Sequence, residues 1–419
     1  MLKYLQNEVF KSLSHREYRR YFFANIASSF GTWMQRLGLG WLVYRLTESS
    51  LWLGIITFSS WFSTFLLMPY AGAVLDTRGR RNIMRISQLV AMSQALLMGV
   101  LTLTGNINVY WILLLSTILG IANAFDMIGR NSLVNDMFTD KKYLANAIAL
   151  NSTGFNLSRM AGPALAGIIV AKYGEGVCFI INAICFLPFA YILTIMKLPG
   201  ENALNESELC SKKKISNREK IMEGVAYVRN HSILFPVLIL LCIVSFMGMS
   251  IHMVLYPLIA DLVLKGGAEA LGWLTGAMGF GALLGALILA SFRKVDRMHR
   301  LTCFSFGSLG IVSMLMAYSQ NLSTALKCSA FFGAFTVLGW GGSNTLVQMT
   351  TSKDKISRVM SLTNMTFTGM SPLGSLFMGW FSAYTSLKCA IFLGGISCVL
   401  TGTYCYLKIY KQTPEIANN

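Results

Sequence analysis

The sequence predicts an all-α membrane protein with twelve transmembrane helices in two pseudo-symmetric six-helix bundles. Three observations predict it: a composition too apolar for a water-facing surface, about a dozen apolar stretches of bilayer length, and short strings that recur between the halves. Of the 419 residues, 54% are hydrophobic and only 13% are charged, against roughly 25% charged in an ordinary soluble domain. The stretches fall near 22–44, 52–75, 83–104, 109–129, 144–171, 177–196, 234–262, 270–290, 301–319, 324–347, 357–383 and 388–408. Each is close to the ~20 residues that cross about 30 Å of hydrocarbon. Lipid offers no partner to a bare backbone, so a span is either a helix or part of a closed barrel. The length of the stretches and the lack of apolar/polar alternation select helices.

The net charge of +17 suggests nucleic acid, but its distribution does not. With the N-terminus placed in the cytoplasm, 28 of the 35 Lys and Arg fall on the cytoplasmic side. Arg45, Lys172, Lys265, Lys327 and Lys388 fall outside, and Arg36 and Arg159 lie within spans. That asymmetry is the positive-inside pattern, with both termini in the cytoplasm. No nucleic-acid partner is expected. Residues 1–20 carry five basic residues and no clean short apolar core, so no cleavable signal peptide is read there. Nine cysteines sit mostly inside spans without a C-x-x-C pair, which reads as packing thiols. Neither a metal nor a cofactor is implied.

The chain divides into a cytoplasmic segment 1–21, a first bundle 22–196, a cytoplasmic linker 197–233, a second bundle 234–409 and a tail 410–419. The linker carries Lys212, Lys213 and Lys214 and then a surface-helix pattern. Ser216 and Glu219 form a capping box, and Ile221, Val225 and Val228 one apolar stripe. It reads as a helix on the cytoplasmic leaflet, with a regulatory docking site as the alternative.

The halves repeat each other. Gly129 to Val134 recurs as Gly342 to Val347, Met160 to Pro163 as Gly369 to Pro372, and Leu53-Gly54 as Leu271-Gly272. The repeat is informative where it fails. Asp126, Arg130 and Arg159 align with Gly339, Ser343 and Thr368, and Asp76 with Lys294. Charge chemistry inside the membrane is therefore expected in the first half alone.

Polar residues in that half fall in stripes. Asn25, Ser29, Thr32 and Arg36 lie in span 1, Ser116, Asn123, Asp126 and Arg130 in span 4, and Ser152, Asn156 and Arg159 in span 5. Intervals of three, four and seven put each set on one helix face. An ionisable group at mid-bilayer costs about 2.5–3.5 kcal/mol on insertion scales, so these faces are expected to line a wet cavity. Interhelical hydrogen bonding is the plainer alternative. Asp126 has Arg130 as its i+4 neighbour, so it reads either as an ion pair closing the cytoplasmic side or as a proton-coupling carboxylate. In the second half His252 lies within a span, and Trp340 offers apolar contact area.

Between spans 2 and 3 the chain reads Gly72-Ala-Val-Leu-Asp76-Thr-Arg-Gly79-Arg80-Arg81. This G-x3-D-x2-G-R-R spacing resembles the loop between helices 2 and 3 of the major facilitator superfamily of transporters. The resemblance implies that the loop latches the cytoplasmic side. Asp76 then meets the start of span 11, where a helix N-terminus favours an anion. Arg80 pairs with a carboxylate at the inner end of span 4, for which Asp126 is the candidate. Topogenic charge alone is the simpler account of these arginines. Gly162-Pro163-Ala-Leu-Ala-Gly167 resembles the Gly-Pro signature of the superfamily's exporters, although generic helix packing explains it equally well.

Longer strings narrow the resemblance: Trp33-Met-Gln35-Arg36, Asn123-Ala-Phe-Asp126-Met, Asn146 through Asn151, and Arg358-Val-Met-Ser-Leu. Together they are similar to the bacterial subgroup of enterobactin-exporter-like and macrolide-efflux-like permeases. Ile128-Gly129-Arg130 departs from the Pro-Ala-Arg run expected there. The resemblance implies a monomeric transporter of the bacterial inner membrane, working by alternating access and coupled to protons. Its expected substrate is a small organic molecule, exported, and an anionic siderophore fits the two arginines best. Multidrug or macrolide efflux and proton-driven siderophore uptake are the alternatives. With four histidines and no catalytic constellation, an enzyme is not expected.

Overall fold

The computed structural model describes residues 11–77, 80–138, 141–196, 225–291, 295–352 and 355–416. Among them twelve long helices follow the order of the predicted spans. In the first half these are α1 (Arg16–Thr47), α2 (Ser50–Thr77), α3 (Arg80–Leu103), α4 (Val109–Asp136), α5 (Lys141–Tyr173) and α6 (Glu175–Ile195). In the second half they are α7 (Leu234–Val263), α8 (Gly267–Leu289), α9 (Val295–Met316), α10 (Leu322–Thr350), α11 (Ile356–Tyr384) and α12 (Leu387–Ile416). No strand occurs among the described residues.

Eight of the twelve are long and apolar enough to cross a membrane by length and composition. The other four are α1, α5, α9 and α11. Three of these owe their lower hydropathy to residues within the span. Asn25, Gln35 and Arg36 interrupt α1, Asn156 and Arg159 interrupt α5, and Thr363, Asn364, Thr366 and Thr368 interrupt α11. A helix this polar crosses hydrocarbon only where its polar face is shielded by other helices or by water. In α9 the charged first two turns, with Asp296, Arg297 and Arg300, lower the average instead.

The helices form two compact units. The first comprises Met1–Leu42 and Ser63–Lys213, the second Val43–Phe62 and Lys214–Asn419. In the first unit α3 packs along α6 and α4, and α5 packs on α6. Near the α2–α3 connection Tyr18, Tyr21, Leu75, Met84, Leu133, Phe189 and Met196 close one fully buried cluster. In the second unit α10 packs on α8 and α9, α9 also meets α12, and α7 packs on α11 and α12. Many large apolar side chains, such as Leu66, Tyr191, Leu287 and Phe304, point outward. In lipid such a surface carries no penalty, and close van der Waals packing and hydrogen bonds hold the helices together instead.

Helix α7 is irregular. Val244–Gly248, Ile251–Leu255 and Ile259–Val263 are π-helical, with only Tyr256–Leu258 as α-helix between the last two. Pro257 lacks the amide hydrogen a regular helix needs, and wide turns of this kind concentrate at functional sites. The predicted surface helix around Ser216, Glu219 and Ile221 lies outside the described residues. Its end is described: 225–229 is helical, with Val228 buried against Val347, Val359 and Leu362.

Candidate functional site

Helix α5 presents small residues at 154, 158 and 162, one turn apart, and lays them on α1. Gly154 faces Ile26, and the Ser158 hydroxyl donates to Ile26 O at 3.4 Å. A Cβ on Gly162 would stand 2.9 Å from Trp33 Cβ and 3.1 Å from Phe30 O. The absence of a side chain at Gly162 therefore lets α5 reach the backbone that carries Trp33. Around that indole the two intramembrane arginines meet. The Arg36 guanidinium carbon lies 4.7 Å from the ring centre and that of Arg159 5.8 Å, and the Phe155 ring stands edge-on at 5.7 Å. A cation over an indole gains about 0.5–1 kcal/mol, and more when dry. The arginines are also close enough for their charges to interact, and an anion shared between them relieves that repulsion.

Earlier along α1, at Asn25 and Ser28, Asp126 and Arg130 form a closed knot. Arg130 Nε donates to Asp126 Oδ2 at 2.6 Å, one terminal nitrogen to Asn25 Oδ1, and the other to Ser28 Oγ at 3.0 Å. Gln88 Nε2 donates to Asp126 Oδ1 at 2.5 Å, and the guanidinium carbon sits 4.5 Å from the centre of the Phe189 ring. Helices α1, α3 and α6 thus converge on this pair of α4. Farther along, Asn182 Nδ2 donates to Gln35 Oε1, and Gln35 Nε2 donates to Gln94 Oε1 at 3.0 Å. All three amides are at most 3% exposed. This relay joins α6, α1 and α3 through the core of the unit.

At the α2–α3 connection Arg80 donates to both carboxylate oxygens of Asp136, at 3.0 and 2.9 Å. This corrects the expected partner, Asp126. Asp136 is the last residue of α4 and meets the first residue of α3, whereas Asp126 lies ten residues back, about 15 Å along the axis. Arg81 donates to Met196 O at the end of α6, where a helix C-terminus favours a cation. A Cβ on Gly72 would lie 3.9 Å from the side chain of Ile128. Asp76 falls in α2, but its side chain, like the whole of Gly79, lies outside the described residues.

The remaining site residues separate. Thr32 and Asn156 bond back to Ser28 O and Ser152 O of their own helices. Ser29 is buried and Asn123 half-buried. Pro163 and Gly167, both buried, continue α5 beyond Gly162. His252 and Trp340 belong to the second unit. There His252 sits among Tyr256 and Phe332, and Trp340 packs edge-on to Phe367 and Phe306. The alignment implied charge in the first repeat alone, which the structure corrects. Asp261 lies in the last π-turn of α7 and accepts the Tyr44 hydroxyl at 2.9 Å.

Sequence reasoning also missed Gln35, Gln88, Gln94, Asn182 and Asp136. Seven-residue spacing of Ser28 and Gln35 was the available signal for one amide face.

A family model for transmembrane secretion effectors, transporters of the major facilitator superfamily, matches residues 8–417. The chain belongs to this family. Among the family's relatives, it is 25% identical to the staphyloferrin A transporter of Staphylococcus aureus over 364 residues, 86% of this chain and 88% of that protein. It is 23% identical to the multidrug efflux pump Tap of Mycolicibacterium fortuitum over 361 residues, 85% and 87% of the two chains. Among solved structures, the nucleoside transporter NupG superposes with a TM-score of 0.73 at 12% identity, covering 94% of this chain and 99% of that one. A bacterial homologue of ferroportin in an inward-facing state gives 0.68 at 14%, covering 94% and 98%. At such identity the structures establish the fold alone. The chain is therefore a multi-pass membrane transporter of the major facilitator type and not an enzyme.

Proposed function

We propose that this transporter exports a small anionic organic molecule, a carboxylate-bearing siderophore being the best-fitting class, in exchange for protons. The observation that carries the reading is the convergence of Arg36 and Arg159 on Trp33. Two guanidiniums on facing helices offer a carboxylate paired donors, and the indole with Phe155 offers an apolar wall. The names of two relatives, a siderophore transporter and a drug pump, bracket the reading. The protein works as a monomer in the bacterial inner membrane, both termini in the cytoplasm, by alternating access about a mid-membrane site. Asp126 serves as the ion-paired partner of Arg130. Gly72, Asp76, Gly79, Arg80 and Arg81 serve the cytoplasmic gate.

Broad drug efflux is the second reading, favoured by the exposed Phe155 ring beside Trp33. Thermal unfolding of the purified protein against a ligand panel separates the readings, because a ligand that binds only the folded state raises its stability. Stabilisation by iron-free carboxylate siderophores supports export. Preference for the iron-loaded forms turns the reading to uptake. A response to macrolides and cationic dyes alone overturns the anionic site.

A further inference from the structure

Residues 43–62 join α1 to α2 in the first repeat, yet they belong to the second compact unit. Several contacts hold them there, among them the Trp61 ring edge-on to Phe367 at 6.1 Å. The Ser50 hydroxyl donates to Gly379 O at 2.9 Å, beside a place where a Cβ on Gly54 would stand 2.7 Å from Ser375 O. Near the start of the segment the Tyr44 hydroxyl donates to Asp261 Oδ2 at 2.9 Å.

Asp261 differs from Asp126 in its partners and its place in the helix. Both oxygens of Asp126 are engaged, one by Arg130 and one by Gln88, and its side chain is 17% exposed. Asp261 is half-buried, stands two residues from the end of its helix, and accepts from a neutral phenol. Charged residues of both signs lie on the elements that meet there. Helix α1 and its end bring Arg45 and Glu48, and α7 brings Lys265, whose backbone N–H donates to Asp261 O. Helix α8, packed on this turn, brings Glu269, which accepts from the Trp273 indole at 3.3 Å. The π-turn is a second sign of function, since such turns are strained insertions that recur at working sites.

We propose that Tyr44 and Asp261 form a latch released by protonation. With the carboxylate ionised, a charge-assisted hydrogen bond keeps 43–62 docked on α7. A proton taken from the aqueous face opposite the termini leaves a neutral bond about half as strong and frees that end to open. The latch rests on the proton-driven reading above and places the coupling proton on α7.

Its test needs no substrate. Spin labels on Ser49→Cys and Ser386→Cys, with the native cysteines replaced, report separation by electron–electron resonance in nanodiscs. Labelling is done once, before the pH is set, so thiol reactivity does not enter. The unsubstituted pair is expected to show about a fivefold larger long-distance population at pH 5 than at pH 8, the ratio for halving such a bond. Asp261→Asn, which mimics the protonated carboxyl, is expected to show the larger population at both pH values. Tyr44→Phe is expected to do the same and serves if the aspartate variant does not fold. If Asp261→Asn responds to pH as the parent does, the proton is sensed elsewhere: the latch falls and the proton-driven reading stands. If the parent does not respond, or both variants stay closed throughout, the latch falls too. Proton-driven transport is then judged separately, by flux across a pH gradient.

Discussion

Asp126 and Arg130, one turn apart on α4, engage both carboxylate oxygens and all three guanidinium nitrogens with each other and with Asn25, Ser28 and Gln88. Their side chains are less than one-fifth exposed. Removing one member strands the other in a low-dielectric core. Asp126→Asn is therefore expected to destabilise the folded protein by about 3 kcal/mol, read as a lower unfolding temperature in detergent. Arg130→Lys keeps the charge but loses the planar fork that reaches three partners at once, so it should also unfold earlier. A neutral outcome for Asp126→Asn would show that the knot does not hold the fold together.

The arginine pair around Trp33 calls for the opposite behaviour. Arg36 is exposed and Arg159 half-buried, and both approach Trp33. Arg36→Ala and Arg159→Ala are expected to leave the unfolding temperature of the ligand-free protein within a few degrees. Each should weaken binding of a carboxylate ligand about tenfold, as the loss of one charge-assisted contact implies. Isothermal titration with the best stabiliser from the panel checks both. Unchanged affinity in both variants removes the arginines from the site.

Arg80 and Asp136 test where the loop is anchored. Their side chains are about one-third exposed, so solvent screening limits the pair to within about 1 kcal/mol. Single neutral substitutions should shift stability only slightly. A double-mutant cycle should return a coupling for Arg80 with Asp136 and none for Arg80 with Asp126. Coupling to Asp126 instead would restore the sequence-based assignment.

That reassignment shows what the sequence could and could not disclose. Hydropathy located the spans because a bilayer imposes a length on every crossing helix. The same rule ended span 4 at residue 129, where the apolar run stops, although the helix continues to Asp136 beyond it. Charge was legible for the same reason as hydropathy: Arg36, Arg159, Asp126 and Arg130 are conspicuous in an apolar context. The amides were not. Gln35, Gln94 and Asn182 acquire their role only from how three helices rotate about their axes to meet, and spacing within one helix does not report the rotation of another. The Tyr44–Asp261 contact joins residues 217 apart in sequence. Asp261 stands out inside the span 234–262, but Tyr44 breaks no pattern, and the π-turns of α7 leave little trace beyond Pro257.

The last prediction concerns pH at the start of α7. His231 precedes the helix, and its Nδ1 accepts from the backbone N–H groups of Ile233 and Leu234 at 3.3 and 3.4 Å. Burial lowers the pKa of the imidazole, partly opposed by a hydrogen bond with the backbone of Thr350. Protonation would place a donor where two backbone donors already point, at the positive end of a helix. Lys355, stacked 4.7 Å over the ring of the neighbouring Tyr227, adds like charge nearby. The folded state therefore holds the neutral form. The contribution is fully present above the unfolded pKa of about 6.5 and is lost as pH falls through the lower folded value. Other groups also titrate on acidification, so the informative quantity is the difference between the parent and His231→Gln, whose amide oxygen can accept without titrating. That difference in unfolding temperature is expected to grow in favour of the variant as pH drops from 8 to 5. Parallel curves would mean that His231 keeps an ordinary pKa and that its contact with the α7 N-terminus contributes nothing.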